Sequence, residues 1–128
     1  MRALLLIAIV MCVLLTGCCA FVPCHPATSL VGTVVSADGR PVPNAHVTLY
    51  GTRQTTNENG CFNIHAADAL PFTFVVSAKG YKSVEIDAKS GFYSVKTQLA
   101  PIQSSATGQI EWVPISSANY LSSVTCEN

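Results

Sequence analysis

From Ala45 to Tyr50 apolar and polar side chains alternate, and that pattern leaves little choice of local structure. In a strand, successive side chains point to opposite faces. Ala45, Val47 and Leu49 therefore share one face, and His46, Thr48 and Tyr50 share the other. A strand that is apolar on one side must cover that side with a second layer. The neighbouring segments follow suit. "SLVGTVVSA" at 29–37 is rich in β-branched residues, and "CFNIH" at 61–65 sends Phe62 and Ile64 inward and Cys61, Asn63 and His65 outward. "PFTFVVSAKGY", "KSVEID" and "YSVKTQL" continue the pattern. Between them stand "DGRPVPN", "TTNENG" and "AKSGF", all turn chemistry, with Asn59-Gly60 suited to a φ > 0 corner. Short strands at close spacing without an amphipathic helix predict an all-β sandwich of seven strands. Within it, "AADALP" at 66–71 has room for one helical turn.

The amino-terminal segment is of another kind. Arg2 precedes an unbroken apolar run from Ala3 to Leu15. A helix needs about 20 residues to cross the hydrocarbon core, so the run is short for a membrane span. A basic start, a short apolar stretch and small residues behind it predict a signal peptide over residues 1–17. Leu15-Thr16-Gly17-Cys18 then resembles the lipobox of bacterial lipoproteins. That resemblance implies cleavage between Gly17 and Cys18 and a diacylglyceryl thioether on the Cys18 thiolate. Two or three acyl chains would make membrane attachment effectively permanent. Residue 19 is Cys, where an Asp would signal retention at the inner membrane, so the resemblance implies the outer membrane, on its periplasmic or surface face.

Once Cys12 leaves with the signal peptide and Cys18 takes lipid, Cys19, Cys24, Cys61 and Cys126 remain as disulfide candidates in an oxidising compartment. Residues 18–28, with two prolines and no period, read as a tether. Followed up and down, the anticipated strands place Cys61 at the end where the first strand begins, near Cys24, and bring the tail with Cys126 to the same end. Cys61 is thus expected to bond Cys24 or Cys126, with preference for Cys24, and Cys19 takes the partner left over. Cys24 and His25 with His46 or His65 lack the spacing of a metal site, and neither metal nor cofactor is expected.

Three motifs occur in order: "GTVVSADGRPVPNAHVTLYG" at 32–51, "TTNENGCF" at 55–62 and "FVVSAKGYKSVEI" at 74–86. Together they resemble the carboxypeptidase regulatory-like domain, a transthyretin-like, Ig-like β-sandwich. Asn57 stands where that pattern often has Asp, and Ser36 shifts the first acid by one place. The resemblance implies a domain over residues 29–100 with a Ser/Thr-rich tail over 101–128. It supplies a fold and no chemistry.

A net charge of zero with only 11% charged residues excludes the basic face that a nucleic-acid binder needs. Glu85 and Asp87 lie about 7 Å apart on one strand face, near a glycosidase spacing, but Val84 and Ile86 take the inward positions. Nucleophile-elbow, phosphate-loop and zinc-helix motifs are missing from the sequence. Transthyretin-like hydrolases carry a first-strand histidine and end in Tyr-Arg-Gly-Ser; this chain has neither. In the tail, Trp112 either packs on the sandwich in a final strand or coil, or docks a partner. Phe92 and Tyr93 form a second candidate binding loop. The expectation is a non-enzymatic lipoprotein held to the membrane through Cys18, its sandwich a structural or protein-interaction module for an envelope protein, with a transthyretin-like small-molecule hydrolase as the least favoured reading. The alternative is a glycan bound on a shared patch of Trp112, Phe92 and Tyr93.

Overall fold

The computed structural model describes residues 27–123, with Met1 and Ile7, and side chains as far as Tyr120. The lipobox with Cys18, and Cys19, Cys24 and Cys126, lie outside the described residues.

Eight strands follow in order: β1 (Ala27–Ser36), β2 (His46–Leu49), β3 (Thr52–Thr55), β4 (Cys61–Ala67), β5 (Thr73–Ser77), β6 (Val84–Asp87), β7 (Phe92–Leu99) and β8 (Gln109–Pro114). A short helix, α1 (Ser117–Ser123), ends the described chain. One sheet has the order β4-β1-β7-β8 and the other β3-β2-β5-β6. All pairings are antiparallel except β1 with β7.

The alternation in β2 does what its spacing requires. Ala45, Val47 and Leu49 are completely buried, and they meet Leu30, Val34, Ile64, Phe74, Val76, Val95 and Leu99 between the sheets. Each side chain of this size contributes roughly 1.5–3 kcal/mol when fully buried. Gly32 lets the first sheet close, since a Cβ there would stand 2.0 Å from the Val95 carbonyl oxygen and 2.9 Å from the Phe62 ring. Between β3 and β4, Asn57 Oδ1 accepts the amides of Asn59 and Cys61, each at 3.0 Å. Buried Thr56 ties the crossing to β2: its hydroxyl accepts from the Ala45 amide at 2.9 Å and donates to the Val42 carbonyl at 2.7 Å.

The sandwich is as expected, but it has eight strands rather than seven. β3 (TRQT) is exposed at all four positions and has no apolar alternation to reveal it. The segment "AADALP" makes no helical turn: it finishes β4 at Ala67 and continues as a loop. The added strand also moves Cys61. In the register, Cys61 faces Thr33, while Ala27, where β1 begins, faces Ala67 at the other end of β4. Cys61 is therefore not at the end where the first strand starts, contrary to expectation.

Candidate functional site

The outer face of the first sheet carries the first concentration of polar side chains. Ser29 projects there from β1, with Cys61, Asn63 and His65 beside it on β4. α1 crosses this face. Its Tyr120 is buried, donates its hydroxyl to Asn63 Oδ1, and lays its ring 5.4 Å from that of Phe92. Ser116 begins the helix, its Oγ accepting the Asn119 amide at 3.1 Å. A serine ahead of a short apolar pattern is a helix-start signal, so this element had a mark in the sequence. The Ser29 hydroxyl is hydrogen-bonded to His65 Nδ1. A serine beside a histidine suggests a nucleophile and its base, but Ser29 is buried, 2% exposed.

A second cluster closes the end of the sandwich where β1 begins. Thr28 and Asp68 are both buried, and Thr28 Oγ1 donates to Asp68 Oδ1 at 2.7 Å. Ser90 donates to Asp68 Oδ2, the Tyr50 hydroxyl lies 3.3 Å from Thr28 Oγ1, and the Gly91 amide donates to that same oxygen at 3.3 Å. A buried carboxylate demands such donors. The cluster joins β1, the β2–β3 turn, the β4–β5 loop and the β6–β7 loop. Residues this far apart in sequence carry no local pattern, which is why sequence reading passes over Asp68.

The three aromatic candidates do not share a surface. Trp112 turns inward from β8, 5.2 Å and edge-on from Phe74, with Tyr93 5.2 Å away on its other side. Trp112 Nε1 is enclosed and has no hydrogen-bond partner among the described residues. Phe92 lies on the opposite face, against Tyr120. Glu85 and Asp87 are exposed on β6, as their strand positions dictate.

Cys61 is half-buried at the start of β4, and its sulfur is not a free thiol. Among the described residues, no three His, Cys, Asp or Glu side chains converge as metal ligands. No helix there is long and apolar enough to cross a membrane. A cleft of about 400 Å³ lies at the far end between Pro43, Asn44 and the Thr56–Asn59 turn. Its single carboxylate, Glu58, meets no histidine or second acid in that lining.

The family model of the carboxypeptidase regulatory-like domain matches residues 29–108. No curated protein matches the chain. Among solved structures, a Bacteroides fragilis protein of unknown function, named as membrane-associated, is 23% identical at a TM-score of 0.46; the match covers 66% of this chain and 31% of that one. The 3-chlorocatechol 1,2-dioxygenase of Rhodococcus opacus is 13% identical at a TM-score of 0.43, covering 61% and 60%. The catechol 1,2-dioxygenase of Pseudomonas arvilla is 13% identical at 0.42, covering 66% and 55%. The chain thus spans less than two thirds of each of these proteins, and likenesses this distant transfer no activity.

Proposed function

The chain belongs to the carboxypeptidase regulatory-like domain family, and from that premise we propose that it is a lipid-anchored envelope lipoprotein whose sandwich is a structural or protein-interaction module without catalytic activity. The observation that carries the anchor is Leu15-Thr16-Gly17-Cys18 directly behind the apolar run. Cys18 takes the lipid, and Cys at residue 19 rather than Asp supports the outer membrane as destination.

The polar clusters support a module that holds its shape. Their hydroxyls and the Asp68 carboxylate are spent on one another across strands and loops. The inward placement of Trp112 and Tyr93 removes the platform on which a sugar would stack, so the partner proposed is an envelope protein.

The same reading gives Cys61 a disulfide partner in Cys126. Thr33, opposite Cys61, is six residues along β1 from Ala27, a distance of about 20 Å. Cys24 stands three residues before Ala27, within about 11 Å of it. A disulfide spans at most about 7 Å between Cα atoms, so that pair falls short. Tyr120 already lies against Asn63, two residues from Cys61 on the same face, and Cys126 follows six residues later. In forming the bond, the two thiols give up two protons and two electrons to the disulfide of an oxidising exchange protein, which leaves as a dithiol. Cys19 and Cys24 then remain for each other.

Replacing Cys18 by Ser tests the anchor. Lipid labelling should disappear, and residues 1–17 should stay uncleaved. Unchanged labelling of the variant would contradict the proposal.

A further inference from the structure

The register identifies one end of the sandwich by what it gathers. Ala27 lies there beside Ala67. So do the β2–β3 turn at Tyr50–Gly51, the β4–β5 loop over 68–72 and the β6–β7 loop over 88–91. The large apolar side chains exposed between residues 27 and 120 collect at this end. Leu70 is 79% exposed and Phe72 53%, with Phe92 near the same rim and Val113 further along the outer face, level with Val31. At the opposite end the comparable side chain is Ile102.

We propose that this end of the sandwich rests against the lipid surface, with Leu70 and Phe72 inserted at the boundary between headgroups and acyl chains. The inference rests on the lipid anchor at Cys18 and adds an orientation to it. Ala27 is nine residues on from Cys18, at most about 32 Å of extended chain. β1 then carries the far end about 30 Å further away. An acylated Cys18 therefore keeps the Leu70 end within that reach of the bilayer, nearer than the far end of β1 in an upright sandwich. The tether from Cys19 to Pro26 bears no Asp, Glu, Lys or Arg, so nothing in it repels the surface.

The apolar loop is built for contact before contact is made. The Tyr50 ring meets Phe72 edge-on with centroids 6.1 Å apart. The Ala88 amide donates to the Phe72 carbonyl at 3.1 Å, and the Thr73 amide to the Pro71 carbonyl at 2.8 Å. The Asp68 carboxylate at the base of the loop is buried and taken up by Thr28 and Ser90, so it turns no charge outward. Arg53 and Lys89 are exposed near the same rim, where anionic headgroups favour cations, and they outnumber the one exposed acid there, Asp87 opposite Thr73. An apolar tip flanked by cations matches the bilayer interface.

The test uses the full-length lipidated protein reconstituted in vesicles of phosphatidylethanolamine and phosphatidylglycerol with brominated acyl chains. In a Trp112→Phe background, Leu70→Trp places the only tryptophan on the loop. Ile102→Trp places it at the far end. Leu70 makes no core contact, so its replacement leaves the fold intact, and Phe72→Trp gives a second reading from the same loop. Emission from residue 70 should shift to shorter wavelength and be strongly quenched by bromine, while residue 102 should be neither. Unquenched emission from residues 70 and 72 on vesicle-bound, acylated protein would overturn the orientation and leave the anchor standing. An unmodified Cys18 in the intact mass of the membrane-purified protein would overturn both.

Discussion

Asn57 and Gly60 divide the work of a single turn. The Asn57 side chain accepts two amides, and an Asp in its place would supply the same acceptor, so the departure from the family pattern costs the turn nothing. Gly60 adopts φ 72°, and a Cβ there would stand 2.5 Å from the Val34 carbonyl oxygen. Gly60→Ala should therefore destabilise the domain by about 2 kcal/mol or more, seen as a lower denaturation midpoint. An unchanged midpoint would mean that the turn is misplaced. Asp38 is set by its neighbours in another way. The Ser36 hydroxyl, first, and the Arg40 guanidinium, more weakly, hold its carboxyl below the ordinary carboxylate value. A depressed folded value gives stability that is present above the unfolded pKa and fades as pH falls through the folded one. Ser36→Ala should raise the Asp38 titration midpoint toward the ordinary range, as followed by carboxyl NMR. No movement would remove Ser36 as the main cause. Both positions were readable as turn residues, because Asp-Gly and Asn-Gly pairs state their purpose locally.

At the scale of elements, one short strand decides a long-range question. The inward faces of β2 and β4 were legible because alternation is a local property of the chain. β3 was not, since TRQT pairs through its backbone at a sheet edge and buries none of its side chains. Each strand reverses the chain direction, so overlooking β3 sends every later element to the wrong end until another error compensates. That is why alternation alone sets Cys61 beside the start of β1, whereas it faces Thr33. With the direction restored, Tyr120 of α1 meets Asn63, two residues from Cys61, and Cys126 becomes the proposed partner of Cys61. Non-reducing peptide mapping of protein taken from the envelope should find a Cys61–Cys126 peptide. Closing that loop contributes about 4 kcal/mol in the chain-entropy model, so reduction should lower the melting temperature. A Cys61 peptide joined to Cys24 would contradict the strand register itself.

For the whole molecule, sequence and structure speak to different parts. The motifs over 32–86 announced the sandwich, and the family match over 29–108 agrees with them. The candidate site was less legible. Thr28, Tyr50, Asp68 and Ser90 meet only after the sheets have stacked, and the orientation of Trp112 depends on which face of β8 is covered. Conversely, the proposed lipobox would be a message to processing enzymes, written in order and spacing and independent of the fold. Joined, these parts make the proposed molecule a sandwich tethered by lipid and lying on its apolar end. The most direct test is the intact mass of the mature protein purified from membranes. The account predicts a chain beginning at Cys18 and carrying a diacylglyceryl thioether on its sulfur, with residues 1–17 removed. A mature chain whose Cys18 is unmodified would contradict it.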